Sequence, residues 1–245
     1  MFSVIRIATV GWGIPRTLSE KFPERGSSLE RYADVLNGVE INSTFYRSHK
    51  PSTFARWAAS VPENFRFSVK APREITHVKR LVDCDAAVAK FFDETGYLGA
   101  KRGPILMQLP PSLPFDCATA EAFFTLLRHR YSGPAACEPR HPSWFDPEAD
   151  ALLRTYRISR VAADPAPVPQ AARPGGFDGL IYFRLHGSPR IYYSAYSQQD
   201  LDDAATKLSG GAAIERWCVF DNTASGAALP NALDLRERIS RPHRD

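Results

Sequence analysis

The runs Phe65-Arg66-Phe67-Ser68-Val69-Lys70 and Leu180-Ile181-Tyr182-Phe183-Arg184-Leu185-His186 decide the fold. In the first, Phe65, Phe67 and Val69 share one face of an extended chain and Arg66, Ser68 and Lys70 the other; in the second, Ile181, Phe183 and Leu185 oppose Tyr182, Arg184 and His186. Side chains of a strand point alternately to its two faces, so both runs read as strands with unlike sides. Working outward, similar runs stand at 5–10, 39–42, 104–109, 135–138, 158–163 and 217–221, which makes eight in all. Between most of them lie helix signals. Ser27 and Glu30 match a capping box, Pro51-Ser52 opens a segment with Phe54, Trp57, Ala58 and Val61 on one face, and Val88/Phe91/Phe92 and Phe123/Phe124/Leu127 repeat that spacing. Asp146-Pro147, and Ser197 with Asp200, open two more, carrying Leu152/Leu153/Tyr156 and Leu201/Ala204/Leu208. The segment 165–176 holds four prolines and two glycines and predicts a loop in place of the sixth helix. Units of roughly thirty residues, strand then helix, predict an α/β chain folded as a single parallel TIM (β/α)8 barrel, one domain over residues 1–245. A doubly wound sheet is the rival, but Arg16 stands where a dinucleotide fingerprint beginning at Gly11 and Gly13 needs its third glycine.

Of the 245 residues 44% are hydrophobic and 24% charged, which excludes a disordered chain, and 15 glycines with 20 prolines are too few for low complexity. A net charge of +4 suits an anionic partner without demanding one. Cys84, Cys117, Cys137 and Cys218 form no CxxC pair, so neither disulfides nor a cysteine metal site is expected. The apolar start at 2–10 follows no basic segment and runs into Gly11-Trp12-Gly13, which reads as a first strand rather than a signal peptide. No run approaches the roughly 18 apolar residues of a membrane span. The expectation is a cytoplasmic protein with no membrane partner.

In a barrel one face of each strand meets the helices and the other meets the interior. The apolar sets suit the helices. That leaves Glu40, Lys70, Gln108, Glu138, Arg184 and His186 converging inside toward the strand C-termini, where active sites of this fold lie. The structural alternative is a buried ion-pair network, such as Glu40 with Lys70 and Glu138 with Arg184.

Six segments carry a resemblance: Val-Glu-Ile-Asn-Ser-Thr-Phe-Tyr (39–46), Phe-Ser-Val-Lys-Ala-Pro-Arg-Glu-Ile-Thr-His (67–77), Gln-Leu-Pro-Pro-Ser (108–112), Glu-Pro-Arg-His-Pro-Ser-Trp-Phe (138–145), Arg-Leu-His-Gly (184–187) and Asp-Asn-Thr-Ala (221–224). Together they resemble the YecE-like family, domain of unknown function number seventy-two, from Gly11-Trp12 to about Asn231. The resemblance implies a TIM barrel akin to TIM-barrel apurinic endonucleases and xylose isomerases, and it supplies no reaction. Asp221 stands where that family often has an amide or aromatic residue, and the 165–176 loop is peculiar to this chain.

Glu40 and Glu138 are the candidate acid/base pair, because burial raises a carboxyl pKa and a neighbouring Lys70 or Arg140 lowers it again. Common retaining glycosidases of barrel type carry their carboxylates on strands four and seven, where this chain has Gln108 and His186, which argues against that reaction. His186 is the candidate proton shuttle or else an oriented interior histidine; His141 is a further candidate, and His77 falls on an exposed loop. Lys70, Arg73, Arg140, Arg184 and Arg190 surround the mouth as anion holders, with Gly187-Ser188 as a phosphate cup. Trp12, Phe45, Tyr46, Trp144, Tyr192, Tyr193 and Tyr196 offer rings for stacking on a sugar or base. Phe45 and Trp144 read rather as an apolar lid, whereas Tyr46, Tyr193 and Tyr196 keep a polar tip. Asn42, Gln108, Asp164 and Asn222 complete the substrate-binding set. Glu40, Glu138, Asp164, His186 and Asp221 have the chemistry for a divalent metal, although no HxH or HExxH spacing supports one. The expected activity is hydrolysis or isomerisation of a small phosphorylated or sugar-like anionic substrate. A nucleic-acid-binding or phosphodiester-processing protein is the second reading, and a non-catalytic scaffold the third.

Overall fold

A computed structural model describes residues 4–210 and 213–240; Phe2, at the start of the first apolar run, lies outside them. All eight expected runs are strands: β1 (Val4–Thr9), β2 (Gly38–Ile41), β3 (Arg66–Lys70), β4 (Arg102–Gln108), β5 (Ala135–Glu138), then β6 (Ile158–Arg160) and β7 (Ala162–Asp164) from one run, and, past a two-residue β8 (Gly175–Gly176), β9 (Leu180–Leu185) and β10 (Glu215–Phe220). The helices are α1 (Ser28–Ala33), α2 (Pro51–Ala59), α3 (Asp85–Thr95), α4 (Cys117–Arg130), α5 (Pro147–Thr155), α6 (Gln198–Ser209) and α7 (Ala228–Ser240), the last unforeseen from the sequence. Both capping boxes form, Ser27 with Glu30 and Ser197 with Asp200.

The long pairings are parallel, as expected, but the ladder is not one continuous round. It divides into two sheets, ordered β1-β10-β9-β7 and β2-β3-β4-β5-β6-β8. The division at Val161 has a local cause. The 165–176 loop, which holds a 3-10 turn at Pro169–Ala172 and no α-helix, lays Gly175–Gly176 antiparallel on β6, with Ser159 opposite Gly176, so only β7 remains to pair with β9. At the other division a single bridge joins Val10 to Glu40, and Gly11 N–H donates to the Glu40 carbonyl at 3.0 Å.

Alternation sorts the core in two. Phe67, Val69, Ile105, Cys137, Phe183, Leu185 and Cys218 pack outward with the helices, whereas Ala8, Leu106, Ala136, Val161, Leu180, Tyr182, Trp217 and Val219 form a smaller inner cluster drawn from both sheets. Trp217 closes the N-terminal end of that interior. Its indole stacks on Tyr182 at 5.9 Å, and a Cβ on Gly38 or Gly103 would stand 3.0 Å from its ring, so a larger residue at either position must displace the indole. Where a sixth helix would cover β7 and β9, a cavity of about 130 Å³ remains, lined among others by Asp164, Phe183, Leu185, Tyr196 and Cys218. The four cysteines are free.

Candidate active site

The site is built around Arg184, which β9 carries into the interior on the same face as Tyr182 and His186. Its guanidinium grips Glu40 of β2 with two hydrogen bonds, Nε to Oε2 at 3.0 Å and Nη2 to Oε1 at 2.8 Å. Nη1 donates to Glu138 of β5 at 2.7 Å, and Nη2 also reaches Asp221, just beyond β10, at 3.1 Å. One arginine thus ties strands of both sheets together. Below it the Tyr182 hydroxyl donates to Glu40 at 3.0 Å and meets Ser68 Oγ at 2.7 Å. Burial disfavours the Arg184 charge, but Glu138, Glu40 and Asp221 outweigh it and hold the group well above its ordinary value.

Above Arg184 lies a more open layer. His186 places Nδ1 2.9 Å from Asp221 Oδ2 and Nε2 2.8 Å from Glu138 Oε1. Arg140 Nη2 lies 2.7 Å from both that glutamate oxygen and His186 Nε2. A proton on Nδ1 donates to Asp221. Nε2 then faces an acceptor and a donor at once: bare, it accepts from Arg140, and protonated, it donates to Glu138. Burial would raise the Glu138 carboxyl, yet Arg184, His186 and Arg140 hold it well below the usual carboxylate range, and Asp221 is likewise lowered against burial by Arg184 and His186. Three carboxylates, Glu40, Glu138 and Asp221, therefore meet three cations, Arg184, Arg140 and Lys70.

Lys70 differs from the rest. It is 6% exposed, and among the described residues its ammonium makes no hydrogen bond and no ion pair; it sits 4.2 Å from the centre of the Phe45 ring. Burial, and after it the Arg184 charge, push its pKa down to about 8 against the pull of Glu40, Glu138 and Asp221. Other hydrogen-bonding groups at the same strand ends are also unspent. Arg140 Nε and Asn42 Oδ1 are buried without partners, and the half-buried Gln108 amide makes no hydrogen bond among the described residues.

The expected convergence of Glu40, Lys70, Glu138, Arg184 and His186 is met in one cluster at the strand C-termini. Other candidates fall elsewhere. Asp164 faces outward, since Val161 and Ala163 take the inner positions of that segment; its carboxylate accepts from the Tyr196 hydroxyl at 2.7 Å. Tyr196 is buried against the half-buried Asp164, and because its oxygen also accepts from Gly187 N–H at 2.9 Å, that N–H is spent and forms no phosphate cup. Asn222 braces loops, donating to the Ser194 carbonyl and Asn231. Trp144 is 1% exposed among Phe115 and Phe124, with its N–H on the Leu113 carbonyl, so it belongs to the core. His141 caps the turn at Pro142–Phe145 through Ser143. Trp12 packs edge-on against Trp57 at 5.0 Å. Tyr46, Tyr193 and Arg73 are exposed at the rim, with Arg190 over the Tyr193 ring at 3.9 Å. His77 is half-buried against Phe45 rather than free on a loop. The proposed metal ligands are not assembled: Asp164 is turned away, and among the described residues no group of three His, Cys, Asp or Glu side chains is arranged to hold an ion. Two residues named only as a possible metal ligand, Asp221, and as one rim ring among seven, Tyr192, stand against the cluster itself. Asp221 was legible from the alternation Trp217, Val219, Asp221; Tyr192, whose ring stands edge-on 6.0 Å from His186, depends on a left-handed backbone at φ +68° that no local signal announces.

The chain is of the parallel α/β class and carries its ionic cluster at the C-terminal ends of the strands, the end at which such folds commonly hold their ligands. Within that class the family model described as protein of unknown function DUF72 matches residues 6–245, and the chain belongs to that family. It is 33% identical over 169 residues to UPF0759 protein YecE of Escherichia coli, a match covering 66% of this chain and 61% of that relative, so it spans about six-tenths of the relative's length. UPF0759 protein YunF of Bacillus subtilis is 26% identical over 280 residues, covering 96% of this chain and 95% of the relative. Among solved structures, a DUF72 family protein of Thermotoga maritima superposes with a TM-score of 0.81 at 25% identity, over 97% of this chain and 99% of that one. One from Enterococcus faecalis gives 0.81 at 23% over 99% and 98%, a likeness of fold alone. Among the described residues no helix is long and apolar enough to cross a membrane.

Proposed function

We propose that the chain is an enzyme whose two sheets work as one eight-stranded (β/α)8 barrel, and that it hydrolyses or isomerises a small phosphorylated or sugar-like anionic substrate above Arg184. The Val10–Glu40 bridge and the unbroken chain from β6 to β7 support the barrel. The observation that carries the ligand is the contrast between layers. Glu40, Arg184 and Tyr182 have spent their polar groups on one another, whereas Lys70, Arg140, Asn42 and Gln108 keep buried or half-buried groups without partners, and such groups are costly to maintain unless something else satisfies them. Arg140 and Lys70 would hold the anion; Arg184, clamped between carboxylates, instead aligns Glu138 and Asp221. Glu138 and His186 Nε2 would exchange the working proton, with Asp221 fixing the tautomer through Nδ1. Glu40, enclosed beneath them, positions Arg184.

The test is thermal unfolding with and without glucose 6-phosphate, together with native mass spectrometry of whatever copurifies. Stabilisation of the wild type, lost in Arg140→Ala, is the expected result. An equal shift in both proteins overturns the reading, and copurifying oligonucleotide in place of a small anion would favour nucleic acid on the rim of Tyr46, Arg73, Arg190 and Tyr193.

A further inference from the structure

The geometry points to Lys70 as a covalent catalytic residue, whose amine forms an imine with the carbonyl of an aldehyde or ketone substrate. This deepens the reading of the site as an anion-binding enzyme and rests on it. Every other charged group of the cluster is held by an opposite charge, but the Lys70 Nζ has neither carboxylate nor carbonyl within bonding reach among the described residues, although it is buried where a substrate would lie. An ammonium kept only to balance charge gains most from direct contact with a carboxylate, and three stand in the same cluster. What stands around the ammonium is the Phe45 ring at 4.2 Å and the charge of Arg184, with the three carboxylates acting on it only from beyond bonding reach. The backbone is pinned, since Thr44 Oγ1 donates to the Lys70 carbonyl at 2.7 Å. A desolvated lysine beside another cation is the arrangement that frees an amine lone pair for attack on a carbonyl.

The step balances without a redox partner. The amine nitrogen attacks the carbonyl carbon, a C–N bond forms, and the carbonyl electrons move to oxygen, which takes up a proton. The nitrogen gives up its two protons in turn to the Glu138–His186 pair, which delivers the first to the alkoxide and the second to the resulting hydroxyl. Water leaves as the C=N bond closes, so amine and carbonyl become imine and water. The imine then withdraws electrons from the adjacent carbon, which serves isomerisation of a sugar-like substrate.

The experiment treats the full chain with dihydroxyacetone phosphate or glyoxylate in the presence of sodium cyanoborohydride, which reduces an imine to a stable secondary amine, and maps the adducts by peptide mass spectrometry. A pKa near 8 gives Lys70 at pH 7.5 a neutral fraction roughly two-hundred-fold that of an exposed lysine. After allowance for the weaker nucleophilicity of a less basic amine, labelling on the order of tenfold faster than at Lys21, Lys50 or Lys207 is expected, rising with pH and levelling above about 8. Labelling spread over those exposed lysines with Lys70 no faster than they are, for both probes, overturns the proposal. Glycerol 3-phosphate, which has no carbonyl, separates the two readings. Thermal stabilisation by it without a Lys70 adduct leaves anion binding standing and removes the imine; a Lys70 adduct that it does not suppress keeps the imine and removes the anion site. Lys70→Arg, which retains the positive charge, is expected to bind glycerol 3-phosphate and yield no adduct at this position, and the wild-type map decides the matter if that variant does not fold.

Discussion

Replacing Lys70 by Met should make the ligand-free protein more stable. A pKa pushed from 10.5 down to about 8 means that, with the amine charged, folding costs about 3 kcal/mol that the neutral form is spared. Methionine keeps the length of the side chain and brings no charge into a 6% exposed position. The gain of about 3 kcal/mol corresponds, for a chain of this size, to a rise of about 6–12 °C in Tm. Its pH dependence carries the stronger test. Because the folded pKa lies below the unfolded one, the cost is fully present below pH 8 and is relieved as pH rises from about 8 toward 10.5, where the unfolded chain also loses its proton. The difference between variant and wild type in urea midpoints should therefore be largest at pH 7 and shrink steadily above pH 8. A variant less stable than wild type at pH 7, or a difference that does not change between pH 7 and 10, would refute the reasoning and make Lys70 a structural cation after all.

Glu138→Gln puts an amide N–H where the carboxylate now accepts from Arg140 and Arg184 beside His186, and should lower stability by about 3–5 kcal/mol in calorimetry. Since those partners hold the Glu138 pKa down, the wild-type advantage is complete above about pH 4.3 and disappears in acid; a variant that matches wild type at pH 7 would show the carboxylate to be unpaired in solution. Gly38→Ala places a Cβ 3.0 Å from the Trp217 ring, and should cost about 1–3 kcal/mol in urea denaturation, with an unchanged midpoint indicating that the indole has room to move.

The alternation of Phe65–Lys70 and Leu180–His186, carried along the chain, was enough to find every strand but the two-residue β8 and to bring five charged residues into one place, because side-chain direction follows from strand geometry alone. What alternation does not encode is which neighbour a strand edge chooses. The Gly175–Gly176 pairing that splits the ladder at Val161 depends on a loop closing back over β6 from 15 residues away, a contact with no periodic signature. Asp164 and Asp221 make the point for the site. Both stand at strand ends, and carrying the alternation one residue further turns Asp164 out toward Tyr196 and Asp221 in toward Arg184. Residue type alone offers both as possible metal ligands and Asp164 also for substrate; only Asp221 reaches the cluster. The isolation of Lys70 was invisible for a different reason: three carboxylates within the cluster all settle on Arg184 and His186, and which cation is left over is decided by packing in three dimensions.

Trp217, seated against Gly38 and Gly103 beneath Tyr182, turns the interior into a cul-de-sac. Nothing threads through it. On the proposed reading of the site, a ligand that reaches Glu138 and His186 would enter and leave by the same end, past the loops that carry Tyr46, Tyr192 and Arg190.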